Sequence, residues 1–205
     1  MTLKIGRPRK NENNLESREK IIDSVTKLIS SGRAHEITVR RVCEISDVSI
    51  GTFYHYFEDK DDLMMYFLRV PFSCGELETP LQNISGRITE LYMLLINKYM
   101  LLGKNFMKSF YTTDNEALSA YMCEHDEKFL SDTIMARSEH EINEALSAGI
   151  IKNDADVHLI CRDICTIVKG CVFEWCLNDS KTDIEATLHR IIKNYFSNYL
   201  NTYAK

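Results

Sequence analysis

Between Leu15 and Ser31 the apolar residues Ile21, Ile22, Val25, Leu28 and Ile29 recur three and four positions apart, with polar side chains between them. That spacing predicts an amphipathic helix, capped by Asn13 or Asn14 and stopped by Gly32. A second, short helix is expected after Thr38, whose hydroxyl can cap it, turning Val39, Val42 and Ile45 inward and Arg40, Arg41 and Glu44 outward. It ends near Ser46. After the turn Asp47-Val48-Ser49, Ser49 can cap a third helix running to about Tyr56. Asp59 then caps a fourth, with Asp61 and Asp62 complementing its dipole, and Pro71 ends or bends it.

From Pro80 onward the stripes lengthen and predict helices over Ile84 to Tyr111, Asn115 to Tyr121, His125 to Ala148, Ala155 to Leu177 and Thr182 to Tyr203. No internal repeat interrupts them. The organisation expected is a basic flexible arm over residues 1–14, a three-helix unit over 15–57, and a larger helical domain over 58–205 that includes the connecting helix.

Composition agrees with an all-α fold, since eight Gly and three Pro in 205 residues leave few tight turns. The longest apolar run, Leu91 to Leu102, is broken by Asn97 and Lys98 and is too short to span a bilayer. With no signal-peptide-like stretch at the start, a cytoplasmic location is expected and no membrane partner. Seven cysteines without a Cys-x-x-Cys speak for reduced thiols rather than a disulfide framework or zinc ribbon.

The net charge of −5 would disfavour nucleic acid, but its distribution reverses that reading. Through Phe57 ten Lys and Arg face seven acids, a balance of +3, and the remainder carries −8. Positive charge is concentrated on the segment in which a short helix, a three-residue turn and a second short helix follow a supporting helix. This is the layout of a helix-turn-helix, whose second helix enters the major groove. Val42, Ile45, Val48, Phe53 and Phe57 supply its small core, Gly51 permits close approach, and Thr52, Tyr54, His55 and Tyr56 remain as groove-facing hydrogen-bonding groups. Arg40 and Arg41, at the start of the preceding helix, suit phosphates.

The string from Thr38 to Leu63, TVRRVCEISDVSIGTFYHYFEDKDDL, resembles the signature of the TetR (tetracycline repressor) family, strongly over residues 15 to 65. Beyond that stretch only helix lengths and order are similar. The resemblance implies a dimeric transcriptional regulator that binds a pseudo-palindromic double-stranded DNA operator and is released, as a repressor, by a small-molecule effector. Carried onto this chain, it implies that Thr52, Tyr54 and His55 meet bases or nearby phosphates, that Tyr56 and Lys60 hold the backbone, and that Ser49 and Ile50 open the DNA-facing helix. Two positions depart from the family pattern. Asp47 replaces the usual turn glycine and tolerates a left-handed conformation. Ile50 replaces a frequent Lys and offers an apolar contact to a thymine methyl in place of a phosphate contact. Ahead of the domain, Gly6-Arg7-Pro8-Arg9-Lys10 is similar to the core of AT-hook segments, so Arg7 and Arg9 are expected in the minor groove; the alternative is a basic tail that adds only nonspecific attraction.

In the last helix Ile184, Leu188, Ile191, Ile192, Tyr195 and Tyr199 belong to an apolar stripe wider than one side of a monomer needs, and with the preceding helix they are expected to form a four-helix homodimer interface. Tyr92, Tyr99, Met100, Phe106, Met107, Phe110 and Trp175 are candidates for an adaptable apolar effector pocket, against the alternative of a plain core. Cys161, Cys165, Cys171 and Cys176 gather on one predicted helix near His158, which raises a redox- or metal-responsive sensor as a second reading; small buried hydrophobes explain them equally. No phosphate loop, nucleophile motif or convincing metal-ligand set is present, so no enzyme activity, cofactor or metal is expected. A helical adaptor binding a protein partner is the remaining alternative, disfavoured by the array of potential DNA contacts.

Overall fold

The computed structural model describes residues 10–201 apart from 72, 113 and 179–181. Among the described residues the regular structure is helical throughout: α1 (Lys10–Ser30), a 3-10 turn (Ala34–Glu36), α2 (Val39–Ser46), α3 (Ile50–Tyr56), α4 (Lys60–Leu68), α5 (Ile84–Leu102), α6 (Lys104–Phe110), α7 (Glu116–Met122), α8 (Ile134–Ser147), α9 (Val157–Leu177) and α10 (Ile184–Phe196). No helix among them is long and apolar enough to cross a membrane. Contacts divide the chain into two compact units, which meet at the Tyr66–Phe67 bond within α4.

In the first unit α1 packs on α2 and α3, which pack on each other. Ile21, Val25 and Leu28 on α1, Val42 on α2 and Phe53 on α3 are fully buried. The buried face of α2 is Val42, Cys43 and Ser46; the expected inward residues Val39 and Ile45 are only half-buried, because the helix is rotated toward its small residues. Helix α1 begins at Lys10, ahead of the expected start at Leu15. Periodicity reports apolar residues only, so it could not register the polar first turns.

In the second unit four long helices close a ring of pairwise packing, α5 on α8, α8 on α9, α9 on α10 and α10 on α5. The continuous helix expected over Ile84 to Tyr111 is broken at Gly103, whose φ of 80° lets the chain turn from α5 into α6. The helix expected from His125 begins at Ile134 instead, capped by the Thr133 side chain, which accepts from the Ala136 N–H at 3.2 Å. The cause is a tight reversal: His125 and Lys128 exchange backbone hydrogen bonds at 2.8 and 3.0 Å across Asp126 and Glu127, both left-handed with φ of 51° and 59°. Helix α10 ends at Phe196 rather than Tyr203, which lies outside the described residues. Past its end, Lys152 N–H donates to Tyr199 O and Asn201 N–H to Ile150 O, tying this segment to the α8–α9 connection.

Candidate nucleic-acid interface and effector cavity

Side-chain caps set the ends of the helix-turn-helix. Thr38 Oγ1 accepts from the Arg41 N–H at 3.1 Å and starts α2. Asp47 ends it in the left-handed conformation, φ 53° and ψ 46°, and its N–H donates to Cys43 O. Ser49 Oγ accepts from the Thr52 N–H at 3.0 Å and starts α3. The next helix is held by two side-chain acceptors, with Asp59 accepting from the Asp62 N–H at 2.8 Å and Asp62 accepting from the Glu58 N–H at 3.1 Å.

Phe53 and Phe57 anchor α3, and their rings lie 5.7 Å apart at the end of the helix. The opposite face is open: Ile50 is 53% and Tyr54 55% exposed, His55 and Gly51 are exposed, and Thr52 and Tyr56 are half-buried. An isoleucine and a tyrosine so exposed on one short helix point to a surface made for a partner. Gly51 does not serve close packing inside the motif as expected; a Cβ there would meet only Ser49 Oγ, at an ordinary 3.7 Å. It leaves the outward backbone of α3 bare instead.

The structure groups Arg40 and Arg41 around one carboxylate, with Glu44 3.2 Å from the first and 3.4 Å from the second, and Glu36 3.9 Å from Arg41. Surface pairs of this kind exchange readily for phosphate. Lys60 lies 3.5 Å from Asp61. Arg7 and Arg9 fall outside the described residues. Arg18, which the sequence pattern did not single out, stands 5.7 Å over the Phe57 ring and 5.0 Å over Tyr66. Cation-π pairing across that sequence distance leaves no local signal.

In the second unit a cavity of about 580 Å³ opens between α7, α9 and the segment that follows α6. Leu118, Met122, Gly170 and Phe173 give it an apolar wall, Tyr111, Thr112, Ser119 and Thr166 add hydroxyls, and Cys123 and Lys169 complete the lining. None of the seven residues expected to bind an effector lines it. Tyr92, Tyr99, Phe106, Met107, Phe110 and Trp175 are buried, and Met100 is 45% exposed. An aromatic and thioether stripe marks burial, and the cavity lies one helix face away. The legible signal for it was Gly170 in the middle of α9 beside an exposed Phe173.

The α10 stripe divides in two. Ile184, Leu188 and Ile192 are buried in their own unit, while Ile191, Tyr195 and Tyr199 are half-exposed on its flank. Tyr195 donates to Asp163 Oδ2 at 2.7 Å, tying α10 to α9. Beside this flank Ile167, Gly170, Cys171 and Glu174 of α9 face Thr187 and Ile191 of α10 across a shallow groove.

Cys161, Cys165, Cys171 and Cys176 are all buried. Burial pushes the thiols of Cys161 and Cys165 up to about 12 and about 11, and those of Cys171 and Cys176 upward as well. Thiols held protonated in this way are poor nucleophiles and poor metal ligands. Among the described residues no three His, Cys, Asp or Glu side chains cluster to hold a metal.

Residues 21–66 match the family model described as bacterial regulatory proteins, tetR family. Over 178 residues, 84% of this chain and 90% of that protein, the sequence is 22% identical to the fatty acid metabolism regulator protein of Bacillus subtilis. It is 36% identical over 67 residues to the HTH-type transcriptional regulator HbdR of Aromatoleum, covering 33% of this chain and 29% of that one. It is also 31% identical over 71 residues, 35% of this chain and 32% of the other, to the HTH-type transcriptional repressor KstR of Mycobacterium tuberculosis. In overall fold it is similar to full-length tylp, a tetR regulator from Streptomyces fradiae, with a TM-score of 0.55 at 14% identity over 90% of this chain and 87% of that one.

Proposed function

The chain belongs to the tetR family of bacterial regulatory proteins through its N-terminal unit, and from that premise we propose that it is a DNA-binding transcriptional repressor released by a small-molecule effector. One observation carries the reading: α3 is pinned by buried Phe53 and Phe57 while it holds Ile50, Tyr54 and His55 out to solvent. A helix so fixed and so exposed suits the major groove, with Tyr54 and His55 at base edges, Ile50 against a thymine methyl, Thr52 and Tyr56 at its flanks, and Arg40, Arg41 and Lys60 on phosphates.

A homodimer presents two such helices to the halves of a pseudo-palindrome. Ile191, Tyr195 and Tyr199, with the groove along Ile167 and Cys171, suit its interface. The cavity of about 580 Å³ in the second unit is of effector size. An effector that binds more tightly to one conformation of the second unit shifts the population of DNA-competent dimer by its differential affinity.

The test is recovery of bound fragments from genomic DNA by the purified protein, followed by titration of the best duplex against the wild type and Tyr54→Ala. Specific binding by the wild type and its loss in a variant that remains dimeric and folded is the expected outcome. No preference for any duplex over random competitor, at low salt and without added metabolites, would remove the function. Full specificity in Tyr54→Ala would remove the assignment of α3 as the reading helix.

A further inference from the structure

Polarity along the cavity wall is ordered. Phe173, Lys169, Thr166 and Arg162 follow one another at three- and four-residue steps on a single stripe of α9. Phe173, 53% exposed, and Leu118 border the main cavity, which has no acidic side chain in its lining. Lys169 lines that cavity and also a second one of about 200 Å³, to which Arg162 and Glu124 contribute. The two cavities share Met122, Cys123, Thr166 and Lys169 as common wall. Among the described residues no carboxylate lies within ion-pair distance of Lys169 or Arg162, and the one acid of the smaller cavity, Glu124, is turned toward His158, 3.6 Å from its Nε2. At the main cavity Tyr111 carries a hydroxyl that is shut off from bulk solvent and has no hydrogen-bond partner among the described residues.

We propose that these joined cavities bind an amphipathic anion, with an apolar body against Leu118, Met122 and Phe173 and an acidic head group held between Lys169 and Arg162. The inference rests on the reading of this unit as an effector domain and specifies the class of effector. An apolar wall with two unpaired cations at one end favours a ligand with the opposite charge at one end, since a neutral ligand leaves both cations unmatched and a cationic one is repelled.

Calorimetric titration of the full-length protein with decanoate, 1-decanol and decyltrimethylammonium, each below its micelle-forming concentration, tests this without any DNA. Decanoate is expected to bind at one per protomer, at least tenfold more tightly than the alcohol, with the cation weakest. In Lys169→Gln the acid is expected to fall to the affinity of the alcohol, and in Lys169→Arg to keep its advantage. Equal affinities for acid and alcohol, tightest binding of the cation, no binding of any of the three, or an undiminished preference in Lys169→Gln overturns the proposal. Because the readout is ligand binding alone, a protein that selects an operator but ignores decanoate loses this inference and keeps its function. One that prefers decanoate but selects no DNA does the reverse.

Discussion

Ser49 Oγ lies 2.8 Å from the Thr52 hydroxyl while it accepts from the Thr52 N–H at 3.0 Å, so the cap of α3 also orients the side chain of Thr52 in its first turn. Ser49→Ala removes both interactions and is expected to lower stability by about 1 kcal/mol, the ordinary value of an N-cap. Thr52→Val keeps the cap and should leave stability within roughly 0.5 kcal/mol, as other surface substitutions do. Urea denaturation compares the two, and an equal loss in both would mean that Ser49 does not cap the helix.

Asp47 occupies the left-handed region at φ 53°, where side chains meet the following carbonyl. Asp47→Gly removes that strain and adds unfolded-chain entropy, so the two effects largely offset and stability should change by less than about 1 kcal/mol. Asp47→Val, branched at Cβ, is expected to lose about 2 kcal/mol or more. Thermal unfolding of both variants decides it, and valine as well tolerated as glycine would exclude the observed turn conformation.

The helix-turn-helix unit is legible in the sequence because its determinants are local. Thr38, Ser49 and Asp59 each cap the helix they precede, and Phe53 and Phe57 share one buried face at four-residue spacing. In the second unit the residues that matter are brought together from afar. Tyr111 just past α6, Met122 of α7 and Lys169 of α9 line one cavity, which no single periodicity encodes. The aromatic stripe of α5 and α6 reported burial correctly, yet burial does not distinguish a core from the wall of a cavity. Gly103 sits inside the stripe that predicts one helix from Ile84 to Tyr111, and only its positive φ shows that the chain turns there.

Glu141 is buried between two arginines, with Arg87 Nε 2.6 Å from one carboxylate oxygen and Arg137 Nε 2.5 Å from the other. Burial raises its pKa, and the two arginine hydrogen bonds more than reverse this, so the net shift is downward. Arg87 also donates to the carbonyls of Leu77 and Thr79, so the carboxylate fixes the chain ahead of α5 as well. Glu141→Gln leaves two half-buried guanidinium groups undercompensated around a buried side chain and is expected to cost roughly 1–3 kcal/mol at neutral pH. Because the folded pKa is lowered, that stability is fully present above the ordinary glutamate value, about 4.3, and is lost as pH falls through the folded one. Denaturation midpoints at pH 7 and pH 3.5 should therefore show the gap between wild type and variant closing in acid. A gap that is small at pH 7 would show that the cluster contributes little.

His158 of α9 joins α8 to the reversal before it: Nδ1 is 3.0 Å from Glu139 Oε1, Nε2 is 3.6 Å from Glu124 Oε1, and the Phe129 ring lies 5.3 Å away. The hydrogen bond with Glu139 raises its pKa against the opposing effect of burial, and attraction to Glu139 and Glu124 adds to the rise. A histidine with a raised folded pKa contributes stability that is fully present below its unfolded value, about 6.5, and disappears as pH rises through the folded value. The imidazolium therefore braces the Glu124 segment against α9 in mildly acidic solution and weakens that hold in alkaline solution. Glu139→Gln removes the strongest partner, so its deficit against the wild type should be larger at pH 5.5 than at pH 8.5 in urea unfolding. Proton NMR should place the midpoint of the His158 imidazole above the ordinary histidine value in the wild type and return it toward that value in the variant. A deficit independent of pH, together with an unshifted imidazole, would show that His158 packs in this corner without carrying charge there.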